Sequence, residues 1–267
     1  MKNENKPKKK VNTKKNSRKC SKTNKKNLEK RRKVIFFVII IIAILGIMLG
    51  ILFSSLFNIK NITVINNSKV TAEEIIQNSG LKINENMFKT PEIAIRNSLK
   101  KNPYIESIEV KKKLNGEVII DVKERIPTYM LAYEENFAYI NNQGYILEVS
   151  TNPLQVPIIK GYATQEIVAG KRLDIKDLEK LDTVIQITEA AKSKEIKELI
   201  TAIDISNKNN YILEISAENK TIQFGNETNI NEKILWIIDI LGKTKDVEGE
   251  IVLNDSDIKK AYFRQKV

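Results

Sequence analysis

The chain has 267 residues, 45 Lys plus Arg against 33 Asp plus Glu, one Cys and no His. That length allows one or two ordinary domains. The lack of histidine excludes Ser-His-Asp and Cys-His sites, H-E-x-x-H zinc helices and imidazole acid–base chemistry, and the lone Cys20 excludes an intrachain disulfide.

The net charge of +12 is concentrated at one end. Residues 1–33 hold 16 Lys/Arg against Glu4 and Glu29, whereas residues 34–267 hold 29 basic and 31 acidic side chains. The first stretch is mostly Lys, Asn, Ser and Thr, with little apolar content beyond Val11 and Leu28. It cannot bury enough surface to offset the entropy of ordering, so 1–33 is expected to be a disordered basic cytoplasmic tail.

From Val34 to Ile59 there is no charged residue in 26 positions. As a helix this run is about 39 Å long, more than the roughly 30 Å hydrocarbon core, so it can span with tilt. The span is placed at 34–57. A cleaved signal peptide fits poorly: the leading region and the apolar stretch are both too long, and no A-x-A-like site follows. The 20 residues before the run carry 11 Lys/Arg and the 20 from residue 60 carry two. Positive charge stays inside, so residues 60–267 are expected outside, as in a single-pass type II protein. Without cysteine, that outer part is expected to rest on its core. The tail could hold a phosphate backbone, but it abuts the span and has no aromatic residue to stack on bases. Its expected partner is therefore membrane lipid, with no nucleic acid. Gly46 and Gly50 form a GxxxG pair, which can hold helix dimers but also arises by chance in apolar helices.

Beyond the span, residues 58–66 alternate as a strand. Thr71-Ala-Glu-Glu74 is a capping box opening a helix that Gly80 stops. Thr90-Pro91 starts a second helix, with Pro at its first position, ending near Asn102-Pro103. Residues 105–113 and 118–122 alternate again around Asn115-Gly116, a strong hairpin signal. The order is β-α-α-β-β. The segments FNIKNITVINNSKVTAEEIIQNSGL and LKKNPYIESIEVKKKLNGEVIIDVKERIPTYML resemble the POTRA module of the FtsQ/DivIB family of bacterial division proteins. The resemblance lies in V-x-N-N-S, S-G-L, N-P-Y-I-x-S-I-x-V and the V-x-E-R-I-P exit. Asn66 stands where the family often has Gly, and Asn tolerates a left-handed conformation.

Farther on, Phe137–Ile140 and Tyr145–Val149 flank a four-residue hairpin loop, Asn141–Gly144, resembling the family's ID-x-x-G-x-V with Asn141 in place of the acid. Pro153 and Pro157 bracket an expected edge segment, VPIIKG. Residues 174–192 read as a helix burying Ile175, Leu178, Leu181 and Ile185. Three alternating runs follow between Ile203 and Phe224. Asn229 opens a helix burying Ile230, Ile234, Ile237, Ile238 and Leu241, with Trp236 read as core. Gly249–Leu253 is a strand. The expected fold class is α+β: a single N-terminal transmembrane helix, a β-α-α-β-β POTRA domain at 58–126, a mixed β-rich domain with supporting helices at 127–255, and a C-terminal strand or tail at 256–267.

Catalytic chemistry is poorly represented. The acid pairs Glu73/Glu74, Glu134/Glu135 and Asp255/Asp257 sit at turns or helix starts, where acids cap or solvate, so a glycosidase pair is not expected. Gly170-Lys171-Arg172 lacks the upstream Gly of a phosphate loop. Neither N-E-T-N nor D-S-D has enough oxygens for calcium. No enzymatic activity, cofactor or metal is expected.

The end of the chain offers a sheet edge. Ile258-Lys-Lys-Ala-Tyr-Phe-Arg264 alternates and carries two adjacent aromatics, and a partner strand can satisfy an open edge. The candidate partner-binding residues are Ile258, Ala261, Tyr262, Phe263 and Arg264; Tyr and Arg are common interface anchors. Equally, Tyr262 or Phe263 can simply close the core. The resemblance tips the balance, since in the family partner subunits add at this strand. It implies a non-enzymatic scaffold of the divisome, concentrated at the septum of the cell membrane. Its implied partners are FtsL-like and DivIC/FtsB-like division proteins and, through them, the septal transpeptidase and glycosyltransferase. A POTRA-bearing export or assembly factor and a wall-active enzyme are the other two readings.

Overall fold

The computed structural model describes residues 14–253 and 261–266. Helix α1 runs from Lys14 to Leu52. Within its stretch Lys30–Leu52, an 18-residue window has a mean hydropathy of 3.4 and none of that window is buried. Both ends differ from expectation. Residues 14–33, expected to be disordered, form the first turns of the helix; residues 1–13 of that tail lie outside the described residues. The run 14–33 contains no Pro or Gly, and extending a nucleated helix adds one hydrogen bond per residue fixed. At the other end the helix stops at Leu52, short of 57. Ser54 is extended (ψ 164°) and Ser55–Phe57 make one 3-10 turn. Phe57 packs edge-on against Phe88, with ring centroids 5.5 Å apart, and Ile59 is buried. The last apolar residues of the run therefore belong to the folded body.

The first unit contains β1 (Asn61–Ile65), α2 (Ala72–Ser79), α3 (Glu92–Leu99), β2 (Ile105–Lys112) and β3 (Glu117–Glu124). The strand order is β1-β3-β2, with β1 parallel and β2 antiparallel to β3. The local signals act as their chemistry requires. Thr71 Oγ1 accepts from Glu74 N at 3.2 Å, and Gly80 closes α2 at φ 72°. Asn66 takes φ 63°. Pro91 is the N-cap of α3 rather than its first helical residue, a one-residue difference that its missing N–H tolerates equally well. Gly116 turns the hairpin at φ 94°, and a Cβ there would come within 2.8 Å of Asn58 O. Ile75, Ile95 and Leu99 of the helices pack on Val118, Ile120 and Val122 of β3.

The exit motif has a structural reason. The Glu124 carboxylate accepts from three successive backbone amides, Ser68 N (3.1 Å), Lys69 N (2.7 Å) and Val70 N (3.0 Å). It thereby holds the loop that enters α2 onto the end of β3. Hydrogen bonds to a charged acceptor are the stronger kind, and removing it releases the loop from three bonds at once, that of Val70 N being part-buried. Glu124→Ala is expected to lower unfolding free energy by about 2–3 kcal/mol, read by denaturant unfolding, with Glu124→Gln recovering part of the loss.

The second unit is one nine-stranded sheet with two helices. In chain order it contains β4 (Tyr129–Tyr133), β5 (Asn136–Ile140), β6 (Ile146–Ser150), β7 (Ile158–Lys160), α4 (Ile175–Lys192), β8 (Ala202–Asp204), β9 (Tyr211–Ile215), β10 (Lys220–Gly225), α5 (Ile230–Lys243), β11 (Gly249–Val252) and β12 (Tyr262–Gln265). The spatial order is β12-β11-β10-β9-β8-β7-β4-β5-β6. Strand alternation lets the sheet serve two cores. Tyr129, Leu131, Ala138 and Ile140 pack with α4 and α5, while Met130, Tyr139 and Leu147 join the core of the first unit.

Two expectations need correction here. The VPIIKG segment is not an edge: β7 lies between β4 and β8, parallel to both. Pro153 and Pro157 fall outside the strand, so neither removes a ladder donor. The buried face of α4 is also rotated. Ile175 is 76% exposed, while Val184, Ile187 and Ala191 are fully buried with Leu181. Helix α5 buries Ile230, Ile234, Ile237 and Leu241 as expected, with Ile238 and Trp236 partly buried against the same core.

Candidate partner-docking edge

Strand β12 closes one end of the large sheet and pairs antiparallel with β11, Tyr262 opposite Val252 and Arg264 opposite Glu250. Alternation divides the candidate residues. Ala261 and Phe263 pack against the core beneath, and the Phe263 ring lies so close to Gly249 that a Cβ there would approach it to 2.6 Å. Tyr262 and Arg264 face outward. Tyr262 is 48% exposed, Arg264 Nη1 meets Glu250 Oε2 at 3.0 Å, and the guanidinium stands 5.9 Å from the Tyr262 ring centroid. Ile258 lies outside the described residues. The two earlier alternatives for the aromatics thus separate: Phe263 closes the core and Tyr262 is presented to solvent.

The backbone supplies the rest. Lys266 N donates to Glu248 O at 3.2 Å. In an antiparallel ladder, bonded pairs alternate along the strand. Residues 262, 264 and 266 therefore direct their amides and carbonyls toward β11, and Phe263 and Gln265 direct theirs to the outside. The sequence pattern located this strand; which of its residues offer backbone groups depends on the register, which sequence does not carry.

The opposite edge is covered at its start. Ile146 N donates to Lys171 O at 2.8 Å and Gly170 N to Ile146 O at 2.7 Å, so residues 170–172 cover the start of β6. Farther along, Tyr104 Oη donates to Glu148 Oε2 at 2.7 Å and Lys69 Nζ lies 3.4 Å from the same carboxylate. Burial, and then the bond to Glu148, push the Tyr104 phenol well above its ordinary pKa. Arg125 completes the joint between the units. Its Nη1 donates to Pro103 O (2.8 Å) and Ile105 O (2.7 Å), and its guanidinium stacks 4.2 Å from the Tyr145 ring centroid. Among the described residues no strand pairs with the outer side of β12.

The residue groups considered for chemistry are spent on structure. Glu74 Oε1 accepts from Asn102 Nδ2 at 3.0 Å, Glu134 sits in a turn at φ 52°, and Asp255 and Asp257 lie outside the described residues. Lys171 pairs with Glu166, and Arg172 Nε donates to Gln143 O at 2.7 Å. The S-x-x-K spacing of penicillin-binding enzymes, not among the groups singled out from the sequence, occurs at Ser79/Lys82, Ser98/Lys101 and Ser256/Lys259. The Ser79 hydroxyl donates to Ile76 O (2.6 Å) and accepts from Leu81 N (3.1 Å), which ends α2, and Ser256 lies outside the described residues. Among the described residues no three His, Cys, Asp or Glu side chains group as a metal site.

Both folded units resemble known proteins. Residues 57–125 match the family model described as "POTRA domain, FtsQ-type", and residues 126–248 match "FtsQ/DivIB, C-terminal related". A cell division protein DivIB of Clostridium tetani is 25% identical over 195 residues, 72% of this chain and 73% of that protein. The DivIB of Clostridium acetobutylicum is 27% identical over 195 residues, covering 72% and 76%. A cell division protein FtsQ of Syntrophotalea carbinolica is 25% identical over 126 residues, 46% of this chain and 44% of that one.

Proposed function

The chain belongs to the FtsQ/DivIB family of cell division proteins, and from that premise we propose that it is a non-enzymatic scaffold of the divisome that captures FtsL-like and DivIC/FtsB-like partners by strand addition at β12. The observation that supports the reading is that, among the described residues, no strand pairs with the outer side of β12, where the Phe263 and Gln265 backbone groups and the Tyr262 side chain are turned outward. An added strand would extend the sheet through main-chain hydrogen bonds, and Tyr262 and Arg264 would supply side-chain contacts.

In this reading α1 anchors the protein in the cell membrane with the basic tail inside, as the charge asymmetry favours. The two folded units stand outside, joined at Arg125 and Tyr104 so that the docking edge keeps a fixed relation to the anchor. The contribution to septal wall synthesis is placement: the transpeptidase and glycosyltransferase are reached through the captured partners. A fluorescent fusion of the full chain is expected to form rings at mid-cell. A uniform peripheral signal in dividing cells would instead point to export or general anchoring.

A further inference from the structure

We infer that the first folded unit rests on the bilayer that α1 crosses, through three apolar loop tips beside the helix end: Leu56, Ile83 and Leu114. The three tips are held at one place by hydrogen bonds. Asn86 Nδ2 donates to Leu52 O (3.0 Å) and Ser54 O (2.9 Å), so the loop between α2 and α3 caps the C-terminus of α1. Met87 N donates to Phe57 O at 3.0 Å, Ile59 N to Glu85 O at 2.9 Å and Asn84 N to Ile59 O at 2.8 Å. On the other side Lys60 N donates to Gly116 O at 2.7 Å, which brings the β2–β3 hairpin to the same segment. Lys112 Nζ donates to Met87 O and Thr90 O, each at 2.7 Å, and ties β2 to the capping loop.

Each tip exposes a large apolar side chain where a turn would ordinarily carry a polar one. Ile83 is the second residue of the turn Lys82–Glu85 and is 49% exposed; Leu114 is the second residue of the turn Lys113–Gly116 and is 74% exposed; Leu56, in the connection from α1, is 71% exposed. Exposed lysines lie near the tips in sequence: Lys60, Lys82, Lys89, which pairs with Glu85 at 3.6 Å, and Lys113, which pairs with Glu117 at 2.8 Å. Apolar tips flanked by lysines are the composition of a surface that enters the headgroup boundary of an anionic leaflet. The occupant follows from continuity, because the helix these loops cap is the apolar one. The contact fixes the tilt of the first unit, and through the joint at Arg125 it sets how far β12 stands from the membrane.

The inference rests on reading α1 as a membrane span, and the test separates the two. In the full chain with Cys20→Ser, single cysteines are placed at Ile44→Cys, Ile83→Cys, Leu114→Cys and Ile175→Cys. Each is labelled with an environment-sensitive fluorophore in phosphatidylglycerol nanodiscs containing doxyl-labelled lipid. All four positions are exposed in the fold, so none of the variants disturbs a core. Loss of fluorescence is expected at 44 from deep doxyl groups, at 83 and 114 from shallow ones, and not at 175. Retained fluorescence at 83 and 114 with loss at 44 would overturn the contact and leave the span intact. Retained fluorescence at 44 would overturn the span itself, and loss at 175 as well would overturn the assignment to these tips.

Discussion

Replacing Gln265 by proline is expected to weaken binding of a purified DivIC- or FtsL-type outer domain at least about thirtyfold, the equivalent of about 2 kcal/mol. The melting temperature of the chain should move little. Proline removes one backbone donor and projects a ring along the strand edge. At position 265 both effects fall on the outer side, because the bonded pairs with β11 are at 262, 264 and 266. The residue before it is already extended, which proline favours. Tyr262→Ala tests the side-chain contribution independently and is expected to cost a similar amount if Tyr262 is an anchor. Phe263→Ala is a poor probe, since Phe263 packs on the core and its loss mixes folding with binding. Unchanged affinity in both Gln265→Pro and Tyr262→Ala would remove β12 as the docking site.

Asp177→Ala is expected to be the most damaging single change in the second unit, lowering unfolding free energy by about 3–5 kcal/mol. Asp177 is wholly buried in the first turn of α4. Its carboxylate accepts from Ala163 N (2.8 Å), Thr164 N (2.7 Å) and Thr164 Oγ1 (2.6 Å), and Lys180 Nζ stands 3.7 Å away. Thr164 Oγ1 in turn accepts from Asp174 N at 3.0 Å. The start of α4 is therefore capped by a loop residue, and the Asp174 side chain makes no cap bond of its own. Alanine would strand buried donors with no water to replace the carboxylate. Asparagine keeps the shape but turns an amide toward the same donors, so it is expected to recover less than half of the loss. A denaturant midpoint for Asp177→Ala close to that of the parent would contradict this account.

These two residues show what the sequence carried and what it did not. Features that depend on a few neighbouring residues were readable: the Thr71 cap, the Gly80 stop, the Asn115-Gly116 hairpin and the strand alternations on both sides of Gly144. Asn66 was readable as a left-handed turn residue because its side chain is one of the few that tolerates positive φ. Features set by contacts distant in sequence were not. The face of α4 is decided by which side meets the sheet, and its start mixes apolar Ile175 with buried Asp177, which misplaces the stripe. Strand β7 carries the proline neighbours of an edge, yet its parallel partners come from 129–133 and 202–204. The apolar run gave the presence of an apolar helix but not its end, because Phe57 and Ile59 are equally apolar and serve a different core. Glu124 and Arg125 were visible as part of a motif, though their roles, one on a loop and one on a joint, required the fold. Of the docking edge, the strand and its aromatic pair were legible; the division of those aromatics between core and solvent was not.

The acidic-and-basic balanced body is expected to face away from the cytoplasm while the cationic end stays within it. The sole native thiol, Cys20, lies in that cationic end, which makes the test direct. A membrane-impermeant maleimide added to intact cells should leave Cys20 unlabelled until the membrane is permeabilised. The same reagent should label Ile175→Cys in a Cys20→Ser chain at once. Labelling of Cys20 on intact cells, with residue 175 protected, would place the cationic end outside and the folded body in the cytoplasm.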